Sequence, residues 1–165
     1  MSPQANGRAL TVHRTTEAEM RAICAWRYGG AYAVYDPQPY EEQIRQGRGF
    51  GSPRNSFYSF CDGEELVGYI HLAGDASEVR FGIAVHPARC GRGYGQAICR
   101  MACDLSRRLY PGKPIRLLVR TWNERAVRCY SRAGFRIIGE PVALTTPAGE
   151  GEFFRMEAED GSGPR

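Results

Sequence analysis

Residues 78 to 138 alternate strand, helix, strand, helix and strand, and this run limits the folds open to the chain more than any other feature. Glu78 to Val85 is strand-like and closed by His86-Pro87. Gly95 to Leu109 follows as a helix. Its Ile98, Met101, Ala102, Leu105 and Leu109 fall at i, i+3, i+4, i+7 and i+11, with Arg100, Asp104, Arg107 and Arg108 mostly off that face. Pro111-Gly112 breaks it. Ile115 to Thr121 alternates Ile115, Leu117 and Val119 against Arg116 and Arg120, a strand. A helix from about Asn123 to Ala133 buries Ala126, Val127 and Tyr130, Gly134 ends it, and Phe135 to Ile138 opens another strand. Helices inserted between strands call for a mixed α/β fold.

The first half adds the rest of the sheet. Leu10 to Arg14 is a short apolar strand. Thr16 caps a helix carrying Glu17 and Glu19 in its first turn, which is expected to run to Gly29-Gly30. Residues 30 to 55 are rich in Gly, Pro and Tyr, with a short helix at Tyr40 to Gln46. Ser56 to Cys61 and Glu65 to Leu72 form a hairpin turned by Asp62-Gly63. Glu152 to Met156 is the last strand. With 165 residues the chain suits one domain, expected at 9–158, between flexible tails at 1–8 and 159–165.

Composition excludes several classes. A content of 42% hydrophobic and 24% charged residues argues against disorder. No apolar run approaches the ~18 residues of a membrane span, and Met1 to Arg8 has no apolar h-region. The expectation is a cytoplasmic protein without membrane contact. Lys113 is the single lysine among 22 basic residues. The arginines are dispersed among acids, as Arg125 is beside Glu124, so no nucleic-acid stripe forms. A net charge of +4 suits a small anionic ligand. The six cysteines include no CxxC pair; Cys99 and Cys103 have no nearby His or Cys to complete a zinc site. Reduced, mostly buried thiols and no metal are expected.

The strongest local signal is Cys90-Gly91-Arg92-Gly93-Tyr94-Gly95, set between a strand and a helix. Glycines admit positive φ and let a ligand approach the backbone. The free N–H groups of the helix's first turn carry partial positive charge, and Arg89 and Arg92 add full charges. Together they form a phosphate or pyrophosphate cradle. A P-loop fails because no Gly-Lys-Ser/Thr is present. A dinucleotide fingerprint fails because Gln96 or Ile98 occupies the third glycine position. The pattern Q/R-x-x-G-x-G/A fits at Gly93 and Gly95, with Cys90 in its first place.

On this loop, on Val79-Arg80-Phe81-Gly82-Ile83-Ala84-Val85-His86-Pro87, on Leu66 to Ile70, and on Asn123-x-x-Ala126-x-x-x-Tyr130-x-x-x-Gly134-Phe135, the chain resembles the GNAT (GCN5-related) N-acetyltransferase superfamily across residues 10 to 157. The resemblance implies a mixed sheet of six to seven strands flanked by about four helices, with two parallel strands splayed at an acetyl-CoA site. Ile83, Ala84 and Val85 would pair with the pantetheine arm. Cys90, Gly91, Arg92, Gly93, Tyr94, Gly95 and Gln96 would meet the pyrophosphate, and Asn123 and Tyr130 would contact the CoA arm. Cys90 departs from the family's Gln or Arg. Arg125, Arg128 and Arg132 would lie toward the adenosine end or remain on solvated surface.

The implied reaction is acetyl transfer from acetyl-CoA to a primary amine, on a small molecule or a protein, by direct attack. Tyr130 would assist the leaving thiolate; alternatively it is a packed residue of an amphipathic helix. Glu78 would act as base or be a solvated strand end; Asp75, His71 and His86 are weaker candidates. Tyr28, Tyr35 and Asp36 would receive a cationic amine, unless the loop packs on its own tyrosines. The other function considered is a catalytically impaired acyl-CoA-binding module or sensor. Bacterial origin and a homodimer are expected at the level of the family.

Overall fold

The computed structural model describes residues 4–5 and 8–159. Their strands are β1 (Gln4–Ala5), β2 (Arg8–Ala9), β3 (Thr11–Arg14), β4 (Ser56–Asp62), β5 (Glu65–Gly74), β6 (Val79–Val85), β7 (Ile115–Arg120), β8 (Phe135–Thr146) and β9 (Gly149–Ala158). The helices are α1 (Glu17–Ile23), α2 (Tyr40–Gln46), α3 (Tyr94–Leu109) and α4 (Glu124–Arg132). Strands β1 and β2 form a separate ribbon, and the remaining seven make one sheet in the order β3-β4-β5-β6-β7-β9-β8. Much of the two expected tails lies outside the described residues. Glu159 is tied down, its N–H donating to the Gly134 carbonyl at 2.8 Å.

Every neighbouring pair in the sheet is antiparallel except β6 and β7. These two are parallel and pair only at Val79↔Ile115 and Arg80↔Arg116. Beyond Arg80 the strands part, which leaves the β7-facing backbone of Gly82 to Val85 without a strand partner. The other edge of β6 is paired with β5 along its whole length. The sheet therefore opens on one side only, at the C-terminal end of its single parallel pair.

Strand alternation sorts the side chains into two layers. Phe60, Val67, Ile70, Leu72, Val79, Phe81, Leu117, Val119 and Met156 face α3, whose Ala97, Ile98, Cys99 and Ala102 complete one apolar core. On the opposite face, Phe57, Tyr69 and His71 meet the chain that follows α1. Trp26 lies 6.0 Å from Tyr69, and Phe50 lies 4.7 Å from Phe57, between ring centroids.

Two elements depart from expectation. Helix α1 ends at Ile23, short of Gly29-Gly30, although the expected cap is present: Thr16 and Glu19 form a capping box. The chain leaves the helix there so that Trp26 can pack on Tyr69 and His86. Strands β8 and β9 are far longer than the expected Phe135–Ile138 and Glu152–Met156. Their added length is mostly exposed, so it carries little apolar alternation. An irregularity between Ile138 and Val142, with Gly139 at φ 67°, bends it.

Candidate active site

A cavity of about 590 Å³ opens where β6 and β7 part. Its walls are Gly82 to Val85 of β6, Leu118 to Arg120 of β7, the glycine loop, one side of α4, and Tyr28, Tyr32 and Tyr35 from above. It follows from the splay, because a pair hydrogen-bonded along its whole length would have no gap.

The glycine loop takes the backbone form that its composition implies. Gly91 and Gly93 have φ of 78° and 85°, a region open to glycine and strained for other residues. Gly93 is the N-cap of α3 and offers no side chain to it. The first N–H groups of that 16-residue helix are therefore free for an anion. Gly91, Gly93, Gly95 and Gln96 line the cavity, as does Arg89, which also pairs with Glu65. Arg92 is exposed and lies outside the lining. Cys90 turns its thiol toward the His86 and Val85 carbonyls, at 3.6 and 3.9 Å. Burial pushes that thiol's pKa up. Tyr94 points the other way: it is 2% exposed and donates its hydroxyl to Asp62 at 2.6 Å, a strut between α3 and β4.

Helix α4 brings Asn123 and Tyr130 to the same cavity. Asn123 accepts the Ala126 N–H at 3.1 Å as the helix cap, and its amide donates to the Tyr35 hydroxyl at 2.9 Å. Tyr130 packs its ring against Phe135 at 6.0 Å. Among the described residues its hydroxyl makes no hydrogen bond. Burial first, then the Cys99 and Cys129 thiols, hold the phenol well above its ordinary pKa, so it keeps its proton at neutral pH. The packed-residue and site readings of Tyr130 are thus compatible: its ring packs on Phe135 and the residue lines the cavity.

Glu78 is not brought to the cavity. It lies just before β6, at the end of the sheet where β6 and β7 still pair, and accepts from Arg116 at 3.0 Å. Asp75 occupies the same turn. The Ser77 and Glu78 N–H groups hold its carboxyl at about 2, too acidic to serve as a base near neutrality. The His86 Nδ1 accepts the Ala88 N–H at 3.0 Å and closes the strand. His71 does reach the cavity. It stands opposite Gly82 across the β5–β6 ladder. A Cβ on Gly82 would fall 2.1 Å from the imidazole, so this glycine makes the room the ring occupies. Desolvation, then the Arg80 charge, lowers the His71 pKa below 6.5. No carboxylate pairs with it among the described residues.

The acceptor side differs from expectation. Tyr28 donates to the Val85 carbonyl at 2.7 Å, and Tyr35 and Tyr32 pack on Trp122 at 6.1 and 5.8 Å. Tyr28 and Tyr35 line the cavity, but Asp36 does not: its carboxylate accepts the Tyr28 N–H at 2.7 Å and folds the loop. Among the described residues no Asp or Glu lines the cavity, which holds Arg89, Arg120, Arg125, Arg128 and Arg132. The expected carboxylate for a cationic amine is therefore missing from it. Arg120 was not foreseen, because in sequence it is the polar partner in an alternating strand.

Two of the six free thiols are half-buried, Cys90 and Cys129. Cys129 lines the cavity, close enough to Gly95 that a Cβ there would lie 3.0 Å from its sulfur. The Cys99 thiol donates to it, and Arg132 and Arg125 add positive charge, so its pKa falls below 9.0 despite burial. Iodoacetamide is expected to alkylate Cys129 before the other five, with coenzyme A slowing the reaction. Peptide mapping by mass spectrometry checks this; Cys90 labelling first would contradict it.

Comparison with known proteins agrees with this geometry. The profile described as Acetyltransferase (GNAT) family matches residues 20–135. An N-alpha-acetyltransferase, RimI, of Mycobacterium tuberculosis is 30% identical over 135 residues, covering 79% of this chain and 80% of the relative. A spermidine N-acetyltransferase from Vibrio cholerae, solved with CoA and spermine, superposes with a TM-score of 0.72 at 21% identity over 90% of this chain and 94% of its own. The structure of AAC(6')-Ib with an aminoglycoside and acetyl-CoA gives 0.66 at 20% identity, over 88% and 92%. At such identities these two structures share the fold. With the profile spanning most of the sheet and the splayed pair, glycine cradle and Tyr130 in one cavity, the chain belongs to the GNAT family of N-acetyltransferases, enzymes that move an acetyl group from acetyl-CoA to an amine.

Proposed function

We propose that acetyl-CoA enters the gap between β6 and β7 and that Tyr130 and His71 carry the two proton movements of transfer to a primary amine. The observation behind this reading is the meeting of a free backbone edge, an anion cradle and an unbonded phenol in one cavity. When bound, acetyl-CoA supplies the activated thioester that the amine attacks. In this reading the backbone of Ile83, Ala84 and Val85 holds the pantetheine arm and polarises the thioester carbonyl, which the unpaired edge of β6 beyond Arg80 supports. Gly91, Gly93, Gly95 and Gln96 hold the pyrophosphate, with Arg89 beside them. Cys90 contributes its backbone, because its thiol faces the carbonyls of the strand. Tyr130 gives a proton or hydrogen bond to the departing sulfur.

His71 replaces Glu78 as the group that takes the acceptor's proton. It is neutral at pH 7 and on the face of the sheet that meets the tyrosine loop. Arg80 is the charge acting on it, and Phe57 from β4 and Tyr69 from its own strand pack nearby. As a base it works above its lowered pKa, so the acid limb of kcat/KM falls below pH 6.5. His71→Gln is expected to lower kcat/KM about 10²-fold and to remove that limb. Release of free thiol from acetyl-CoA across a panel of amines, followed from pH 5 to 9, reads both. An unchanged acid limb in the variant would eliminate His71.

The same reading makes residues 9–158 one catalytic domain of a bacterial cytoplasmic homodimer that needs neither metal nor nucleic acid. Among the described residues no helix is long and apolar enough to cross a membrane. The acyl-CoA sensor gains nothing from the relatives, and the presence of Tyr130 and Asn123 in the lining argues against it.

A further inference from the structure

Arg120 is a buried cation with little to hold it. The residue is 7% exposed, yet it makes no ion pair among the described residues. Its guanidinium carries five N–H donors and uses one, to the Thr146 hydroxyl at 3.2 Å. The Phe153 ring lies 4.8 Å beneath it. A Cβ on Gly151 would lie 2.3 Å from its Nη1, so β9 leaves a slot for this group. A charge withdrawn from water without a counter-charge is costly, and such groups persist where something else pairs with them.

Arg120 lines the cavity, and its charge acts on the Tyr35 phenol from the tyrosine loop. Val119 packs in the core against α3, so its neighbour Arg120 leaves β7 on the opposite face, the one shared with His71 and Tyr69. The pyrophosphate cradle is elsewhere, at the start of α3, where α4 provides further arginines. Arg120 is therefore free for the other substrate.

We infer that the amine acceptor carries a carboxylate, which Arg120 binds while the amine faces the β6–β7 gap. This rests on the acetyl-transfer reading and narrows its substrate class. A carboxylate would accept the free N–H donors as a bidentate pair. Among the described residues the lining offers no acidic side chain to a polycation, so the acceptor is unlike the spermine bound to the Vibrio cholerae enzyme. The carboxylate can belong to a free amino acid or to an acidic side chain beside a peptide's amino terminus.

Matched acceptors separate these sources. One arm compares phenylalanine with phenylalaninamide and phenethylamine. The other compares the amidated peptides Ala-Asp-Ala and Ala-Asn-Ala, with spermine as the polycation. In at least one arm the acid should exceed its uncharged partner in kcat/KM by about 10- to 10²-fold, and the arm that does so names the source. Arg120→Gln should bring that ratio to within about threefold, chiefly by raising KM for the acid, and Arg120→Lys should restore part of it. Acetyl-CoA affinity and melting temperature serve as folding controls.

Equal rates for acids and uncharged partners, or a preference for spermine, would overturn the anchor and leave acetyl transfer intact. Absence of thiol release with every amine would instead remove the acetyl-transfer reading. Calorimetry of the acids on the coenzyme A-loaded protein then decides the anchor: binding lost in Arg120→Gln upholds it, and no binding ends it.

Discussion

Tyr130→Phe is expected to lower kcat about 10³-fold while acetyl-CoA binds with unchanged affinity. The change removes one oxygen from a ring that keeps its contact with Phe135. Among the described residues that oxygen makes no hydrogen bond, so its loss should leave the melting temperature where it was. What disappears is the proton offered to the departing thiolate. Because the phenol's pKa is raised well above its ordinary value, chiefly by burial, wild-type activity should show no basic limb from Tyr130 below pH 10. Steady-state kinetics with free-thiol detection, beside calorimetry of acetyl-CoA, gives both quantities. A variant with wild-type kcat would return Tyr130 to a purely packed residue.

The largest effect on stability is expected from Phe60→Ala. Phe60 is wholly buried in β4, in the layer that α3 covers. Truncating such a ring costs about 3–5 kcal/mol, from the lost transfer energy and the cavity left behind. Against a total of roughly 5–15 kcal/mol for a typical domain, this leaves a much smaller margin. Leu144→Ala, on the exposed part of the β8–β9 hairpin, should change stability by no more than about 0.5 kcal/mol. Urea unfolding of the two variants measures the contrast. Equal midpoints would mean that the sheet–α3 layer is not where the stability lies.

The comparison between Glu78 and His71 shows how far the sequence can be read. Both are titratable residues, Glu78 just before β6 and His71 within β5. Glu78 stands at the start of the strand that leads to the glycine loop, which makes it the natural choice in one dimension. Its exclusion depends on where along β6 the gap opens, and that is set by pairing with β7, which stops after Arg80. His71 enters through the register of the β5–β6 ladder, which sets it against Gly82. A shift of one residue would turn its ring to the α3 core. Asp36 illustrates the same limit: its loop was legible, but whether the carboxylate faced a ligand or a backbone N–H was not.

By itself, the sequence determined the strand–helix alternation, the positive-φ glycine loop, the Thr16 cap of α1, and the presence of Asn123 and Tyr130 on one helix segment. Each rests on local periodicity or on backbone conformations that only certain residues allow. The tertiary structure decided what surrounds Arg120 in the cavity. Arg120 reads in sequence as the exposed partner of an alternating strand. It is buried because Phe153 and Gly151 arrive from a hairpin whose exposed length leaves little apolar pattern. The backbone conformation of a loop is written in contiguous residues. The partner of an isolated buried charge is set by chain segments distant in sequence, and only folding brings them together.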